Sequence, residues 1–191
     1  MKGQNKFNAI FIMIVAAIVG LACSGAAQTG EANILVDRAN KKLDEAKELY
    51  AATETRNANL FDANVNTVSQ LQDYKATHND EAQSIVGDYE KVSGMLKDVS
   101  RQYDDISRLN LSEKYKDYAR LKSDEYAIRA EAVGVRKGNA QAFMEIDDPS
   151  AMMTKFDENN SKSDRLFKDA EDIAAKARKM EEENKELFKQ A

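Results

Sequence analysis

Residues 82–106 read AQSIVGDYEKVSGMLKDVSRQYDDI. Within them Ala82, Ile85, Tyr89, Val92, Leu96, Val99, Tyr103 and Ile106 alternate at spacings of three and four without a miss. Residues so spaced line one face of an α-helix, and a sustained 3.5-residue period winds that face left-handedly around neighbouring helices. A strand would need alternation at every second position, which is absent. The segment predicts a long helix over about 80–109, and it cannot be alone, because its apolar face needs partners.

Upstream, Val36, Ala39, Leu43, Ala46 and Tyr50 carry the same stripe, and Leu60, Val65, Val68 and Leu71 resume it. The interval from Thr53 to Asn59 is weaker, and Asn57 and Asn59 suggest a bend there. One helix over about 31–75 follows. Thr77-His78-Asn79-Asp80 offers cap residues for a turn, with Gln83 three places after Asp80 as in a capping box.

Downstream, Ser112 caps a third helix over about 112–146, striped by Tyr115, Tyr118, Leu121, Ile128, Ala132 and Val135. Gly134 and Gly138 predict a kink near its end. Asp148-Pro149 is a strong start signal, an acceptor at the N-cap followed by a residue with no N–H to satisfy. A fourth helix over about 149–189 places Met152, Phe156, Asn159, Ser163, Leu166, Ala170, Ile173, Ala177, Met180, Asn184 and Leu187 on its seam. Asn159, Ser163 and Asn184 are polar, and such seam residues trade stability for register. Short turns predict an all-α, antiparallel up-down-up-down four-helix bundle over 31–191. Unequal helix lengths predict that one end thins to a stalk. One proline, no tryptophan and 32% charged residues agree with long solvated helices.

The first residues have another character. Lys2 and Lys6 precede an apolar run from Ala9 to Leu21, and small residues follow. This is the three-part order of a secretory signal. As a helix the run covers about 20 Å, short of a hydrocarbon core of about 30 Å. Cys23, the only cysteine, stands at its exit in Val19-Gly20-Leu21-Ala22-Cys23. The junction resembles that of bacterial lipoproteins, with Gly20 where the family most often has leucine and Leu21 one place later. The resemblance implies removal of residues 1–22 and diacylation of the Cys23 sulfur. Cleavage after Ala27, or an uncleaved anchor helix, are the alternatives, and all three export the rest of the chain. The likeness further implies a lipid-anchored protein of the cell envelope, on the periplasmic face of the outer membrane if the envelope is Gram-negative, since Ser24 is not the usual retention residue. From Leu109 onward the order of a tyrosine-bearing helix start, a long helix, an acidic turn and a closing heptad helix is similar to that of small helical lipoproteins of bacteria. That similarity implies no activity.

Ser24 to Gly30 is small and polar and reads as a flexible tether over 23–30. Without residues 1–22 the chain keeps 26 basic residues (28 less Lys2 and Lys6) against 33 acidic. That balance argues against nucleic acid as a partner. No zinc-type histidine pair, EF-hand loop, di-iron Glu-x-x-His pair, phosphate loop or nucleophile elbow is present in the sequence, so no enzyme and no cofactor is expected. His78 is the only histidine, and a solvated turn residue is its ordinary reading.

Phe143, Met144, Met152, Met153 and Phe156 gather around the third turn. They predict either a core plug, with methionine filling irregular gaps, or an exposed apolar surface for a partner or ligand. Gly87 and Gly94, seven apart, predict a shallow outward groove on the second helix. The sequence thus suggests a non-enzymatic binding or spacer module with a protein or cell-wall partner. The alternative is a carrier of a small apolar ligand, or of copper(I) held by thioethers.

Overall fold

The computed structural model describes residues 26–62 and 65–185, with side chains from Gln28 onward. The signal segment and Cys23 lie outside the described residues. Four helices account for the fold: α1 (Ala26–Leu60), α2 (Val68–Arg108), α3 (Glu113–Glu145) and α4 (Pro149–Glu183). No strand occurs among the described residues. The helices pack as a bundle, with α2 and α3 in the most extensive contact, then α3 with α4 and α1 with α2, while α1 meets α3 at a few points.

The stretch that opens the sequence reading behaves as its spacing demands. Ala82, Ile85, Tyr89, Val92, Leu96, Val99, Tyr103 and Ile106 are all buried. The α1 seam is longer than its apolar residues suggest. Ala32, Val36, Ala39, Leu43, Ala46 and Tyr50 are followed without a phase break by Thr53, Asn57 and Leu60, every one buried. The weak interval is therefore continuous helix whose seam positions happen to be polar. Thr53 accommodates this by donating to its own helix, at the Leu49 carbonyl 2.7 Å away.

The first boundary differs from the expected one. Helix 1 ends at Leu60, not near residue 75, and α2 begins at Val68, not near 80. Thr67 is the N-cap: its hydroxyl accepts from the Gln70 N–H at 3.2 Å, and the Gln70 side chain accepts from the Thr67 N–H at 3.2 Å. This reciprocal pair satisfies two donors that the first turn leaves free. Thr77-His78-Asn79-Asp80 runs straight through α2. Leu71, His78 and Ile85 keep one seven-residue phase, and burial on that phase outweighs the local preference of Thr, Asn and Asp for caps. Residues 26–30, expected as part of a flexible tether, belong to α1.

The later boundaries follow their signals closely. Ser112 caps α3, accepting from the Tyr115 N–H at 3.3 Å, and Asp148 caps α4, accepting from the Ala151 N–H at 2.7 Å. The expected kink at Gly134 and Gly138 is absent, since α3 is one helix across both. At Gly138 a Cβ would lie 2.9 Å from the Asn159 side-chain nitrogen, so the missing side chain serves close approach of α4. α4 stops at Glu183 with Asn184 as C-cap, short of the expected 189. With 35, 41, 33 and 35 residues the helices are nearly matched, and among the described residues the unequal lengths behind the expected stalk are not found.

The α3 C-terminus lacks a glycine cap. Instead Lys75 of α2 donates to the Ile146 carbonyl at 2.8 Å and the Met144 carbonyl at 3.3 Å, and pairs with Asp147 at 2.9 Å. A cation at the negative end of a helix satisfies carbonyls the helix cannot. It also ties the first turns of α2 to the α3–α4 turn.

These boundaries are open to a direct check. Thr67→Ala removes the cap and should cost about 1 kcal/mol in urea unfolding followed by circular dichroism. Asp80→Ala, exposed and in mid-helix, should leave the unfolding midpoint within experimental error. The reverse ranking would restore a helix start near residue 80.

Candidate functional site

The most unusual feature of the interior is charge. Lys122, Glu125, Arg129, Arg136 and Asn139 of α3 recur at three, four, seven and three, the spacing of a seam, and all are buried. Lys122 donates to Glu125 at 2.6 Å, and Arg129 donates to the other oxygen of the same carboxylate at 2.9 Å. Two cations thus share one anion. Arg129 reaches on to Glu171 of α4 at 3.3 Å, and Glu171 accepts from Arg178 at 2.7 Å. Lys122 also stands 4.7 Å from the centre of the Tyr126 ring, a face that favours a cation.

Two turns further along, Arg136 lies between α1 and α4. It donates to Asp164 at 2.7 Å and to the side-chain oxygen Oδ1 of Asn160, and its Nε stands 3.9 Å from Glu54. Glu54 accepts from the buried Tyr89 hydroxyl at 2.5 Å. Burial opposes charge on Arg136, but Glu54 and Asp164 prevail and hold its pKa above the ordinary guanidinium value. The phenols of Tyr89 and Tyr50 are pushed far up, first by burial and then by the charge of Glu54. Towards the α2–α3 turn, burial likewise raises Tyr103, Tyr118 and Tyr126, and takes Tyr115 up to about 12.

Following the apolar stripe of α3 missed this row. Leu121, Ile128 and Val135 are only half-buried, while the charged row beside them is covered by α4. The signal was present as a heptad of charged and amide residues in phase with Ala132. Reading charge as solvent-facing concealed it.

The expected surface at the third turn divides. Phe143 and Met152 are buried, Met144 and Phe156 are half-buried, and Met153 is 38% exposed. Phe61 stacks on Phe156 with ring centres 4.2 Å apart and meets Phe143 edge-on at 6.2 Å, and Tyr74 meets Phe143 edge-on at 5.8 Å. Burial makes Phe143 and Met152 core, the plug alternative for this turn, and takes these two residues out of the partner or ligand surface. The reason is the earlier turn: α1 ends at Leu60, so Phe61 and Tyr74 both reach this end of the bundle. His78 is not in a turn. Its ring stacks on Tyr74 at 3.9 Å, with Nδ1 2.9 Å from the Tyr74 carbonyl.

Gly87 is half-buried and Gly94 exposed, and a Cβ at either would meet nothing within 4 Å. Neither glycine is needed for packing within the bundle. A shallow open groove lies at the opposite end, lined by Lys114, Lys176, Lys179, Met180, Glu183 and Asn184. Among the described residues no group of three or more histidine, cysteine or acidic side chains could hold a metal ion, and no helix is long and apolar enough to cross a membrane.

No protein-family model, curated protein or solved structure matches this chain.

The ionic row has a measurable signature. Glu125→Ala leaves Lys122 and Arg129 buried without their shared carboxylate and should cost about 3–5 kcal/mol in chemical denaturation. Replacing all three together, by Lys122→Met, Glu125→Leu and Arg129→Met, should recover most of that loss, because no buried charge then lacks a partner. Alkali gives a second test. Folded tyrosines hold their protons to higher pH than unfolded ones, whose value is near 10.0. Above that value the unfolded chain binds fewer protons, so stability falls as pH rises. The free energy of unfolding should be flat between about pH 7 and 9 and fall steeply above 10, by up to about 1.4 kcal/mol per pH unit for each buried phenol. Tyr103→Phe should make that descent shallower.

Proposed function

We propose that this chain is a lipid-anchored protein of the cell envelope whose helical bundle is a non-enzymatic binding or spacer module. The observation that carries the reading is the distance between two unlike poles. Gln28, in the first turns of α1, accepts from the Asn110 N–H at 2.5 Å, so the chain enters the bundle beside the α2–α3 turn. Phe61, at the other end of α1, packs on Phe143 and Phe156 at the α3–α4 turn. A helix of 35 residues separates these poles by about 50 Å.

The start of α1 at Ala26 supports the same reading. Ala26, already helical, is three places after Cys23 in the sequence, the site at which the lipoprotein resemblance puts the lipid. An anchor so near this end of α1 would hold the aromatic pole well away from the membrane. Val68 and Met153, two of the large apolar side chains left exposed, belong to segments at that pole. They are the surface we assign to a macromolecular partner.

The bundle reads as up-down-up-down. In support, partner numbers fall on one helix as they rise on the next. Gln28, Lys42 and Arg56 of α1 meet Asn110, just past the end of α2, and Asp98 and Asp88 of α2, in that order. Ser93 and Ser100 of α2 bond the carbonyls of Ala130 and Ser123. Arg129 and Arg136 of α3 meet Glu171 and Asp164 of α4.

Growth on a clickable fatty acid should label the wild-type protein and not Cys23→Ala. Equal labelling of both would remove the lipid anchor from this reading. A photo-crosslinking residue at Met153 should capture a partner in the intact envelope, and the same group at exposed Lys47, midway along α1, should not. Capture at Lys47 alone would move the binding surface to the flank of the rod.

A further inference from the structure

Between the ionic layer at Arg136 and the aromatic layer at Phe143 lies a layer built of amides. Glu54 faces Arg136 across α1 and α3 at 3.9 Å, and Phe61 meets Phe143 at 6.2 Å. Each pair is offset by the same number of residues, and so are Asn57 and Asn139, which stand between them on the same faces. Asn57 is 3% exposed and Asn139 fully buried. From α4, Asn160 accepts from the Asn139 side-chain nitrogen at 2.8 Å. Its neighbour Asn159 leans over Gly138, where a Cβ would lie 2.9 Å from its nitrogen.

Three buried polar atoms here find no hydrogen-bond partner in the protein: Asn57 Oδ1, Asn139 Oδ1 and Asn159 Nδ2. Two accept and one donates. A buried amide left unpaired costs roughly what a lost hydrogen bond costs, and three in one layer call for a common partner.

We propose that this layer is a binding site for a buried water molecule, which donates its two protons to Asn57 and Asn139 and accepts from Asn159. The chemistry excludes the other small ligands. A cation drawn to the two amide oxygens would sit one turn from the Arg136 guanidinium. An anion drawn to Asn159 and Arg136 would face those same oxygens, with Glu54 and Asp164 already balancing Arg136. An apolar guest leaves all three atoms unpaired. Water alone both donates and accepts, and three hydrogen bonds are the usual number for a buried one.

The site also gives the layer a use. It joins α1, α3 and α4 at one level, and that level is set by register. A slip of α1 by one heptad would place Asn57 against Ala132 or Ile146, where no amide shares the water. Polar seam residues that are satisfied in one alignment alone disfavour the others.

The test uses the full chain labelled with 15N. Water-selective NMR on the folded wild type should show a cross-peak from the Asn139 side-chain NH2 to a water whose residence exceeds the nanosecond range, with the opposite sign to surface hydration. Its absence in folded wild type overturns the proposal without any variant. Asn57→Leu combined with Asn139→Leu should abolish the long-lived water signal from this layer, seen through Asn159, and its persistence would equally overturn the assignment. The two single leucine variants should each lower the melting temperature, and the double should lower it by less than their sum, because it removes both amides that need the water. Additive losses would count against a shared water.

Discussion

One constraint governs the interior of this protein: the charges on the inner face of α3 must be paired where they are buried. Glu125 sits between Lys122 and Arg129 within hydrogen-bond distance of both, and Arg136 lies between Glu54 and Asp164. Desolvating such groups is costly, and only close partners recover it. Apolar side chains would tolerate a slip of one helix turn. These ion pairs would not, since a slip of one turn sets Arg136 opposite Tyr50 or Asn57 of α1 in place of Glu54. The charged row therefore supplies alignment more than it supplies stability.

Stability resides in the neighbouring seam. α2 carries its large apolar residues in strict phase, and α1 meets it with alternating small and larger ones: Ala32, Val36, Ala39, Leu43, Ala46, Tyr50. Small residues at one phase allow the backbones to approach, and larger ones at the other fill the resulting holes. α4 contributes differently. Its buried residues are mostly small or polar, with Phe167 and Met152 the large exceptions, and Ser163 bonds directly to the Ala132 carbonyl at 3.1 Å. It is held to α3 by polar contacts as much as by apolar area. Its docking should accordingly be the more sensitive to salt and pH of the three main helix contacts.

The two poles of the bundle differ in composition. At one, four tyrosines and the Lys122–Glu125–Arg129 cluster lie near the point where the chain enters. At the other, Phe61, Tyr74, Phe143 and Phe156 close the bundle, with Lys75 satisfying the end of α3. Around this end Val68 and Met153 are exposed.

Much of this was legible in the chain alone. The period of residues 82–106 determined that the protein is helical, and Ser112 and Asp148-Pro149 marked the last two helix starts, because cap chemistry acts within three or four residues. Where local preference and burial conflict, the sequence was insufficient. Thr77-His78-Asn79-Asp80 carries cap residues yet stays helical, between Leu71 and Ile85, which are buried on one phase. Asn57 weakens a stripe in one dimension and completes an amide layer in three. The inner face of α3 shows the same limit most clearly: nothing in Lys122, Glu125, Arg129 and Arg136 states that they point inward. Only the tertiary structure decides that, because a buried charge is acceptable solely where another helix brings its partner.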